Sequence, residues 1–344
     1  MTLANKYRPQ EFSDCVEQKH VVEILKNMCD AGMPCRNILL TGPAGCGKTT
    51  LGRLIARRLN GNSNEIVEID AASNNGVDAA RDLVQQARTF PIGAAFKVII
   101  LDEAHTLTSQ AWQAMLKVLE ESPAKTVFVF CTTNPEKIPK TIISRVQTFR
   151  LSKISMVGIV NRLKYVIDSE ISDGETLTYT DDGISMIAKQ AFGGLRDAMT
   201  LLDKVIAYSH DISYENVSAA LNKSDFDSFF DLLSAVSKKD NGRVIATIHE
   251  VYQSGVNFCE WFEQFHSFLV NVVKYIYTKD VMSTTIPDHY AAKMNKYTQS
   301  HAAICLRLAS IIVRMCAEMK HTVYQEEIAL TYLCVPERNV EQSA

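Results

Sequence analysis

The residues best suited to chemistry lie between 42 and 49, where the sequence reads Gly-Pro-Ala-Gly-Cys-Gly-Lys-Thr after an apolar run. Glycines allow successive backbone N–H groups to converge on phosphate oxygens, and a following helix adds its positive N-terminal end. This pattern predicts a nucleoside triphosphate site. We expect Lys48 to reach the β/γ phosphates and the hydroxyl of Thr49 to hold Mg²⁺. The phosphate cradle would comprise Gly42, Pro43, Ala44, Gly45, Cys46, Gly47, Lys48, Thr49 and Thr50.

Two carboxylates follow a second apolar run, Val98–Leu101. A buried central strand delivers side chains at its carboxyl end to the phosphate side of a parallel sheet. Asp102 would then bind Mg²⁺, directly or through water, and Glu103 would polarise the water that attacks the γ-phosphate. The alternative is an acidic turn that ends a strand and begins a helix.

Two further polar residues, Thr133 and Arg145, lie in sequence patterns that are less specific for a nucleotide site. Thr133 follows the strand pattern Val127–Thr132 and would contact the γ-phosphate or the water, although an Asn-Pro turn explains the segment equally well. Arg145 lies beyond the far edge of the pocket. It would reach a neighbouring subunit's phosphate as an arginine finger, whereas spacing alone favours a surface arginine paired with an acid.

The elements that position these residues alternate along the first 150 residues. The predicted strands are Asn37–Thr41, Ile66–Asp70, Val98–Asp102, Val127–Thr132 and Gln147–Leu151. Helical patterns cover Val21–Ala31, Thr49–Leu59, Val77–Ala87 and Ser109–Glu120 between them. The alternation predicts an α/β fold, a five-stranded parallel sheet with flanking helices.

After residue 152 the pattern becomes helical, with turns predicted at Thr180–Gly183 and Phe192–Gly194. Longer amphipathic stretches cover Phe226–Val236, Arg243–Tyr252, Phe258–Tyr277 and Ala302–Met319. We predict an ATP-binding domain over 1–153, a small helical lid domain over 154–220 and a helical domain over 221–344.

Composition narrows the class of protein. The 344 residues are 47% apolar and 22% charged, with a net charge of −3, so any nucleic-acid contact must come from a local patch or an assembly. No segment has the pattern of a signal peptide or a membrane span, and we expect no membrane contact. Nine scattered cysteines without a C-x-x-C pair favour reduced thiols in a cytoplasm.

Together, these motifs resemble the clamp-loader ATPases of the AAA+ class, and most of all the gamma/tau subunits of bacterial DNA polymerase III. The resemblance covers most of residues 4–215. Its ordered matches are Lys6–Pro9 with Phe12 and Gln18, the loop Gly42–Thr49, Asp70–Val77, Asp102–His105, Ala114–Glu121, Thr132–Thr133, Ile143–Arg145 and Gly193–Ala198.

The resemblance implies roles that spacing alone does not. Thr133 falls at the position that senses the γ-phosphate, and Arg145 at the finger acting in trans. Arg196 falls at the second sensor, where the lid closes over the ATP of its own subunit. Tyr7, Arg8 and Val16 fall in the segment near the adenine and ribose.

The same resemblance implies surfaces for macromolecules. DNA phosphates would meet helix N-termini near Asn74, Asn75 and Ser109, with Lys117 nearby. Lys117 has the alternative of a helix pair with Glu120 or Glu121. We also expect a sliding clamp to contact Phe90 and Pro91, because an exposed Phe before a Pro is a good apolar anchor, and the alternative is that Phe90 packs under its own loop.

The sequence departs from the family pattern in three places. The four-cysteine zinc module is replaced by the short span Asn60–Asn64, so we expect no zinc. Val146 follows the finger arginine where cysteine is usual, and Glu17 stands where glycine is usual. A compact, zinc-free chain without a tau-type C-terminal extension suggests a phage-encoded loader, and a divergent bacterial protein is the alternative.

The resemblance implies an ATPase subunit that opens a ring-shaped sliding clamp and closes it on primer–template DNA during replication. ATP and Mg²⁺ would be its cofactors, and its partners would be the clamp and other loader subunits, in a pentameric ring with several copies of this chain. It would act in the cytoplasm of a bacterium or an infected bacterial host. The alternatives are a DNA motor of the branch-migration type and a structural loader subunit without hydrolysis.

Overall fold

The computed structural model describes residues 1–32, 35–61, 66–121, 123–221, 226–280, 283–287, 290–320 and 322–334. Within it the chain divides into two compact units. The first comprises Met1–Thr178 and Ile187–His210, and the second comprises Tyr179–Met186 and Asp211–Ala344. The predicted domain boundaries after residues 153 and 220 stay predictions.

The centre of the first unit is a parallel five-stranded sheet. Its strands are β1 (Asn37–Thr41), β2 (Ile66–Asp70), β3 (Lys97–Asp102), β4 (Thr126–Thr132) and β5 (Gln147–Arg150), and they match the predicted ones to within one residue at each end. Their order across the sheet is β2-β3-β4-β1-β5, and β1 pairs with β4 so that Leu39 lies opposite Phe130. Two short strands follow later in the chain, β6 (Thr178–Tyr179) and β7 (Asp211–Ile212).

Helices cover both faces of this sheet, which explains why its three central strands are apolar between their polar end residues. The helices in chain order are α1 (Leu3–Lys6), α2 (Lys19–Asp30), α3 (Lys48–Asn60), α4 (Val77–Arg88), α5 (Ser109–Glu120), α6 (Lys140–Ile143), α7 (Met156–Ser172), α8 (Asp181–Gln190) and α9 (Leu195–Tyr208). Ile38 packs toward α2 and α3, whereas its neighbour Leu39 packs toward α4 and α5, as strand alternation requires.

The second unit has a helical core rich in aromatic side chains. Phe229 packs against Trp261 with ring centroids 5.0 Å apart, and Phe262, Phe265 and Phe268 are fully buried beside them. The four long helices predicted in this region are confirmed, with small extensions at their ends, as α11 (Phe226–Lys238), α12 (Asn241–Gln253), α13 (Phe258–Thr278) and α15 (Gln299–Met319). The structure adds three shorter helices, α10 (Tyr214–Ala220), α14 (Ala291–Met294) and α16 (Gln325–Cys334).

The turn predicted at Thr180–Gly183 is wrong, because α8 begins there at Asp181. The hydroxyl of Thr180 accepts a hydrogen bond from the backbone N–H of Gly183 at 3.2 Å, as an N-terminal cap does. Asp181 and Asp182 then lie in the first helical turn, where carboxylates favour the positive end of the helix. Residue types that are common in turns therefore begin a helix at this position.

Candidate nucleotide-binding site

The loop from Gly42 to Gly47 joins β1 to α3 at the carboxyl edge of the sheet. Gly42 has a φ of 150°, and a side chain there would lie 2.5 Å from the carbonyl oxygen of Leu151. Gly47, with a φ of 102°, immediately precedes α3. The loop therefore depends on glycine at both ends, and it leads directly into the N-terminus of a helix, which favours an anion.

Lys48 places its ammonium group inside this loop. The residue is 7% exposed, and its Nζ donates hydrogen bonds to the carbonyl oxygens of Gly42 at 3.0 Å and Pro43 at 2.8 Å. Neither acceptor carries a full charge, so the cation is buried without an anionic hydrogen-bond partner among the residues that the structure describes. A phosphate oxygen would provide the missing negative charge.

Thr49 and Asp102 meet at the base of the loop. The Thr49 hydroxyl donates a hydrogen bond to Asp102 Oδ2 at 2.7 Å, and Asp102 Oδ1 accepts from the backbone N–H of Glu103 at 3.0 Å. Buried strand β3 and helix α3 bring together two groups that lie 53 residues apart. A hydroxyl and a carboxylate are hard oxygen ligands of the kind that Mg²⁺ prefers, so the pair fits a magnesium site next to the phosphates.

Glu103 follows Asp102 in a left-handed backbone conformation, with a φ of 46°. Its Oε2 accepts a hydrogen bond from the Thr133 hydroxyl at 3.2 Å. The carboxylate predicted to polarise water is therefore in contact with the predicted γ-phosphate sensor. His105 was not singled out by the sequence analysis. Its Nδ1 lies 3.3 Å from the same carboxylate oxygen and 3.1 Å from the Thr132 hydroxyl.

Further predicted residues line one pocket with the loop. Its wall contains Tyr7, Arg8, Val16, Ala44, Gly45, Cys46, Gly47, Lys48, Thr49, Thr50, Asp102, Glu103 and Arg196. The pocket is also lined by Gln18, Ile154, Leu195 and Met199, which were not among the predicted site residues. The last three are apolar, and apolar pocket residues have no chemical signature that distinguishes them from core residues in a sequence.

Cations converge on this pocket. Burial lowers the pKa of Arg8, and the nearby positive charges of Arg53 and Arg196 lower it further. Arg8 and Arg196 share the pocket with Lys48. Repulsion of this kind is relieved when a polyanion binds, which suits a triphosphate.

Arg196 comes from the N-terminus of α9, which reaches the phosphate loop directly. The backbone N–H of Leu195 donates a hydrogen bond to the carbonyl oxygen of Gly45 at 3.0 Å. A side chain on Gly45 would come within 3.0 Å of Gly194 Cα, so the two backbones are in close contact. The helix that carries Arg196 is therefore anchored on the loop expected to hold phosphate.

Arg145 does not line this pocket. Its Nη2 lies 2.5 Å from Glu120 Oε1, so the surface ion pair favoured by spacing alone is present. Its backbone oxygen accepts a hydrogen bond from Asn37, the first residue of β1. Arg145 thus lies at the amino edge of the sheet, whereas the phosphate loop follows the carboxyl end of the same strand.

The residues expected to meet DNA lie near the starts of two helices, since Asn74 and Asn75 precede α4, whereas Ser109 begins α5 and Lys117 lies further along it. The backbone N–H of Thr108 donates to the carbonyl oxygen of Asn75 at 3.1 Å, so the N-termini of α4 and α5 lie side by side. Asn74, Asn75 and Ser109 are exposed. Lys117 is also exposed and forms no ion pair with Glu120 or Glu121 among the residues described.

Phe90 does not pack under its own loop, because 76% of its surface is exposed. Ile92, two residues on, is 86% exposed, and Pro91 between them is partly buried. The three form a short apolar segment after α4, with two large side chains exposed. Large apolar side chains exposed together mark a contact surface more often than isolated ones do.

No set of three or more His, Cys, Asp or Glu side chains is arranged to hold a metal ion within the described part of the chain. The span Asn60–Asn64, where we expected no zinc module, lies mostly outside that part, since residues 62–65 are not described. Among the described helices, none combines the length and apolar character needed to cross a membrane.

Two family models match the chain. The model described as DNA polymerase III, delta subunit, matches residues 60–155, and the one described as DNA polymerase III clamp loader subunit, ATPase lid domain, matches residues 158–211. The chain is 34% identical over 298 residues to DNA polymerase III subunit gamma of Buchnera aphidicola, covering 80% of this chain and 79% of that protein.

Longer relatives match as well. DNA polymerase III subunit tau of Bacillus subtilis is 34% identical over 275 residues, which cover 74% of this chain and 48% of the relative. The Escherichia coli tau subunit is 34% identical over 281 residues, covering 75% and 42%. The chain therefore spans about half the length of these tau relatives.

Among solved structures, the RuvB Holliday junction branch migration motor of Thermotoga maritima shares the fold. It has a TM-score of 0.52 at 21% identity, covering 67% of this chain and 79% of that one. This structural likeness shows a common fold, in agreement with the predicted fold class, and it carries no functional assignment.

Proposed function

The chain belongs to the DNA polymerase III gamma/tau family of clamp-loader subunits, and we propose from this premise that it hydrolyses ATP to load a sliding clamp. ATP binding would open the ring-shaped clamp, and hydrolysis would close it on primer–template DNA. The observation that carries this proposal is the contact of Thr49 with Asp102 beside buried Lys48, in a pocket that Arg196 also lines.

Each residue has a role in the proposed hydrolysis. Lys48 and the loop N–H groups bind the phosphates, and Thr49 and Asp102 hold Mg²⁺, which neutralises charge on the phosphates when bound. Glu103 polarises the attacking water, and Thr133 orients Glu103. Arg196 senses the bound triphosphate, while Tyr7, Arg8 and Val16 surround the base and ribose.

The site is completed by a second subunit in this proposal. Arg145 lies at the amino edge of the sheet and is exposed over a third of its side chain. Strand β1 alone separates the two edges by about 13 Å at roughly 3.3 Å per residue. Arg145 therefore suits the ATP of a neighbouring subunit, in a ring with several copies of this chain and other loader subunits.

The macromolecular contacts are proposed as well. Asn74, Asn75, Ser109 and Lys117 would meet DNA phosphates, so binding should weaken with salt and vary little with sequence. Phe90 and Pro91 would contact the clamp. We expect this work to take place in the cytoplasm of a bacterium or an infected bacterial host, without zinc or membrane attachment.

The test is the ATPase activity of the assembled loader from the same organism, measured alone, with clamp, with primer–template DNA and with both. We expect turnover to rise when clamp and DNA are added together. Turnover that is unchanged by the clamp but coupled to movement along long duplex DNA would favour a motor. ATP binding without turnover under all four conditions would favour a structural subunit.

A further inference from the structure

Glu17 and Gln18 both have left-handed backbone conformations, with φ values of 57° and 53°. Residues with side chains rarely adopt this region, because it strains the backbone. Two in succession persist only where other interactions fix them. The side-chain hydrogen bonds of Glu17 and Gln18 supply these interactions.

Both side chains cross to the segment between β5 and α7. Gln18 Nε2 donates to the carbonyl oxygen of Ser152 at 2.7 Å, and Gln18 Oε1 accepts from the Ser152 N–H at 3.2 Å. Glu17 Oε2 accepts from the Ser155 N–H at 3.1 Å, and Glu17 Oε1 accepts from the Ser155 hydroxyl. Four hydrogen bonds thus join parts of the chain that are more than 130 residues apart in sequence.

The Glu17 carboxylate also lies at the N-terminus of α7. Ser155 is the N-cap of this 17-residue helix, and its hydroxyl accepts from the Gly158 N–H at 3.0 Å. A negative charge is favourable at this end of a helix. Gly158 leaves room for it, because a side chain there would come within 2.6 Å of Glu17 Oε1.

These hydrogen bonds of Glu17 and Gln18 to Ser152 and Ser155, which we call the tie, lie beside the nucleotide pocket. Val16 and Gln18 line the pocket from one side of it, and Ile154 lines the pocket from the other. The backbone N–H of Ile154 also donates to the carbonyl oxygen of Gly193, close to the start of α9. The lid helices α7 and α9 are therefore held at two places, by Glu17 and Gln18 and by the contact of Leu195 with Gly45.

We propose that Glu17 is a positioning residue for nucleotide binding. Its carboxylate ties α7 to the segment that lines the base side of the pocket, and it thereby holds the lid helices, with Arg196, over the bound nucleotide. The inference rests on the proposed function, because it assumes that the pocket takes ATP.

Replacement by glycine separates this role from a general role in folding. Glu17→Gly removes the carboxylate and also relieves the left-handed backbone, so the fold should lose little stability. Gly158→Ala disrupts the same hydrogen bonds by a change in α7, because the added methyl group displaces the Glu17 carboxylate. Alanine also favours the helix, so the variant should not weaken α7 itself. Lys239→Gly is the matched control, an exposed residue with a φ of 57° in the second unit.

The experiment measures the dissociation constant of a fluorescent ATP analogue, steady-state kinetics and amide exchange for these variants in the full chain. Glu17→Gly and Gly158→Ala should each weaken nucleotide binding about three- to tenfold, as expected when hydrogen bonds to a charged group are lost. KM for ATP should rise more than kcat falls, and the Ser155 amide should exchange faster. The dissociation constant of Glu17→Gln should lie between those of these two variants and that of the native protein.

Unchanged nucleotide affinity in both Glu17→Gly and Gly158→Ala would overturn the inference. An equal loss of affinity in Lys239→Gly would also overturn it, since that variant leaves the tie intact. Failure of the native chain to bind the analogue would instead contradict the proposed function. The two failures are therefore distinguishable in one set of measurements.

Discussion

Arg145 and Glu120 form an ion pair at the amino edge of the sheet, with Nε and Nη2 of the arginine 2.9 Å and 2.5 Å from the same carboxylate oxygen. The guanidinium also donates to the carbonyl oxygen of Thr141 at 2.7 Å. These contacts orient the side chain at a place remote from the phosphate loop of its own subunit. An exposed ion pair contributes little stability, typically below about 1 kcal/mol, so its use is better sought in assembly.

Replacement of Arg145 by alanine should leave nucleotide binding by the isolated chain unchanged. Stimulated hydrolysis by the assembled loader should fall by roughly 10³-fold or more, the range found for arginine fingers. Arg58→Ala is a matched control, because Arg58 forms a similar exposed pair with Asp30 at 2.5 Å. Comparable hydrolysis in the two variant complexes would remove Arg145 from the reaction.

Thr49→Val should abolish the increase in nucleotide affinity that Mg²⁺ provides. The valine side chain has nearly the same shape but lacks the hydroxyl that contacts Asp102 at 2.7 Å. We expect nucleotide affinity measured with Mg²⁺ to fall to the value measured with a chelator, and turnover to be lost. Thr49→Ser retains the hydroxyl and should keep both properties. Full Mg²⁺-dependent affinity in Thr49→Val would place the metal elsewhere.

Phe90→Ala should weaken clamp binding without changing the melting temperature, because the ring is 76% exposed and contributes little to the core. An apolar anchor at the centre of an interface is commonly worth about 2 kcal/mol or more, close to thirtyfold in affinity. Tyr208→Ala removes another exposed ring, 60% accessible, as a control. Equal clamp affinity for Phe90→Ala and the native chain would move the contact to another surface.

The sequence predicted the site best where residue type and strand position agree. Asp102 and Thr49 could be placed together because a buried strand and a phosphate loop both end at the carboxyl edge of a parallel sheet. The contact of Glu103 with Thr133 depends on β4 lying next to β3, and the strand order is a tertiary property. Arg145 at the opposite edge was predicted only as lying beyond the pocket.

Local conformations were harder to predict. Thr180–Gly183 has the composition of a turn but begins a helix, because a threonine cap and two aspartates suit both. Nothing in residue type indicates that Glu17 and Gln18 adopt left-handed backbones, since the hydrogen bonds that hold them come from residues 152 and 155. Such positions are determined by partners that are distant in sequence.

The central claim is that one ATP site is completed by Arg145 of the next subunit, and mixing two inactive variants tests it most directly. Lys48→Ala subunits lack the phosphate-binding lysine but carry Arg145, whereas Arg145→Ala subunits bind ATP but lack the finger. In a ring mixed at random, roughly a quarter of the interfaces between copies would combine an intact ATP site with an intact finger. We predict that the mixture regains stimulated hydrolysis absent from either variant alone. A mixture as inactive as its components, in rings shown to contain both, would contradict the claim.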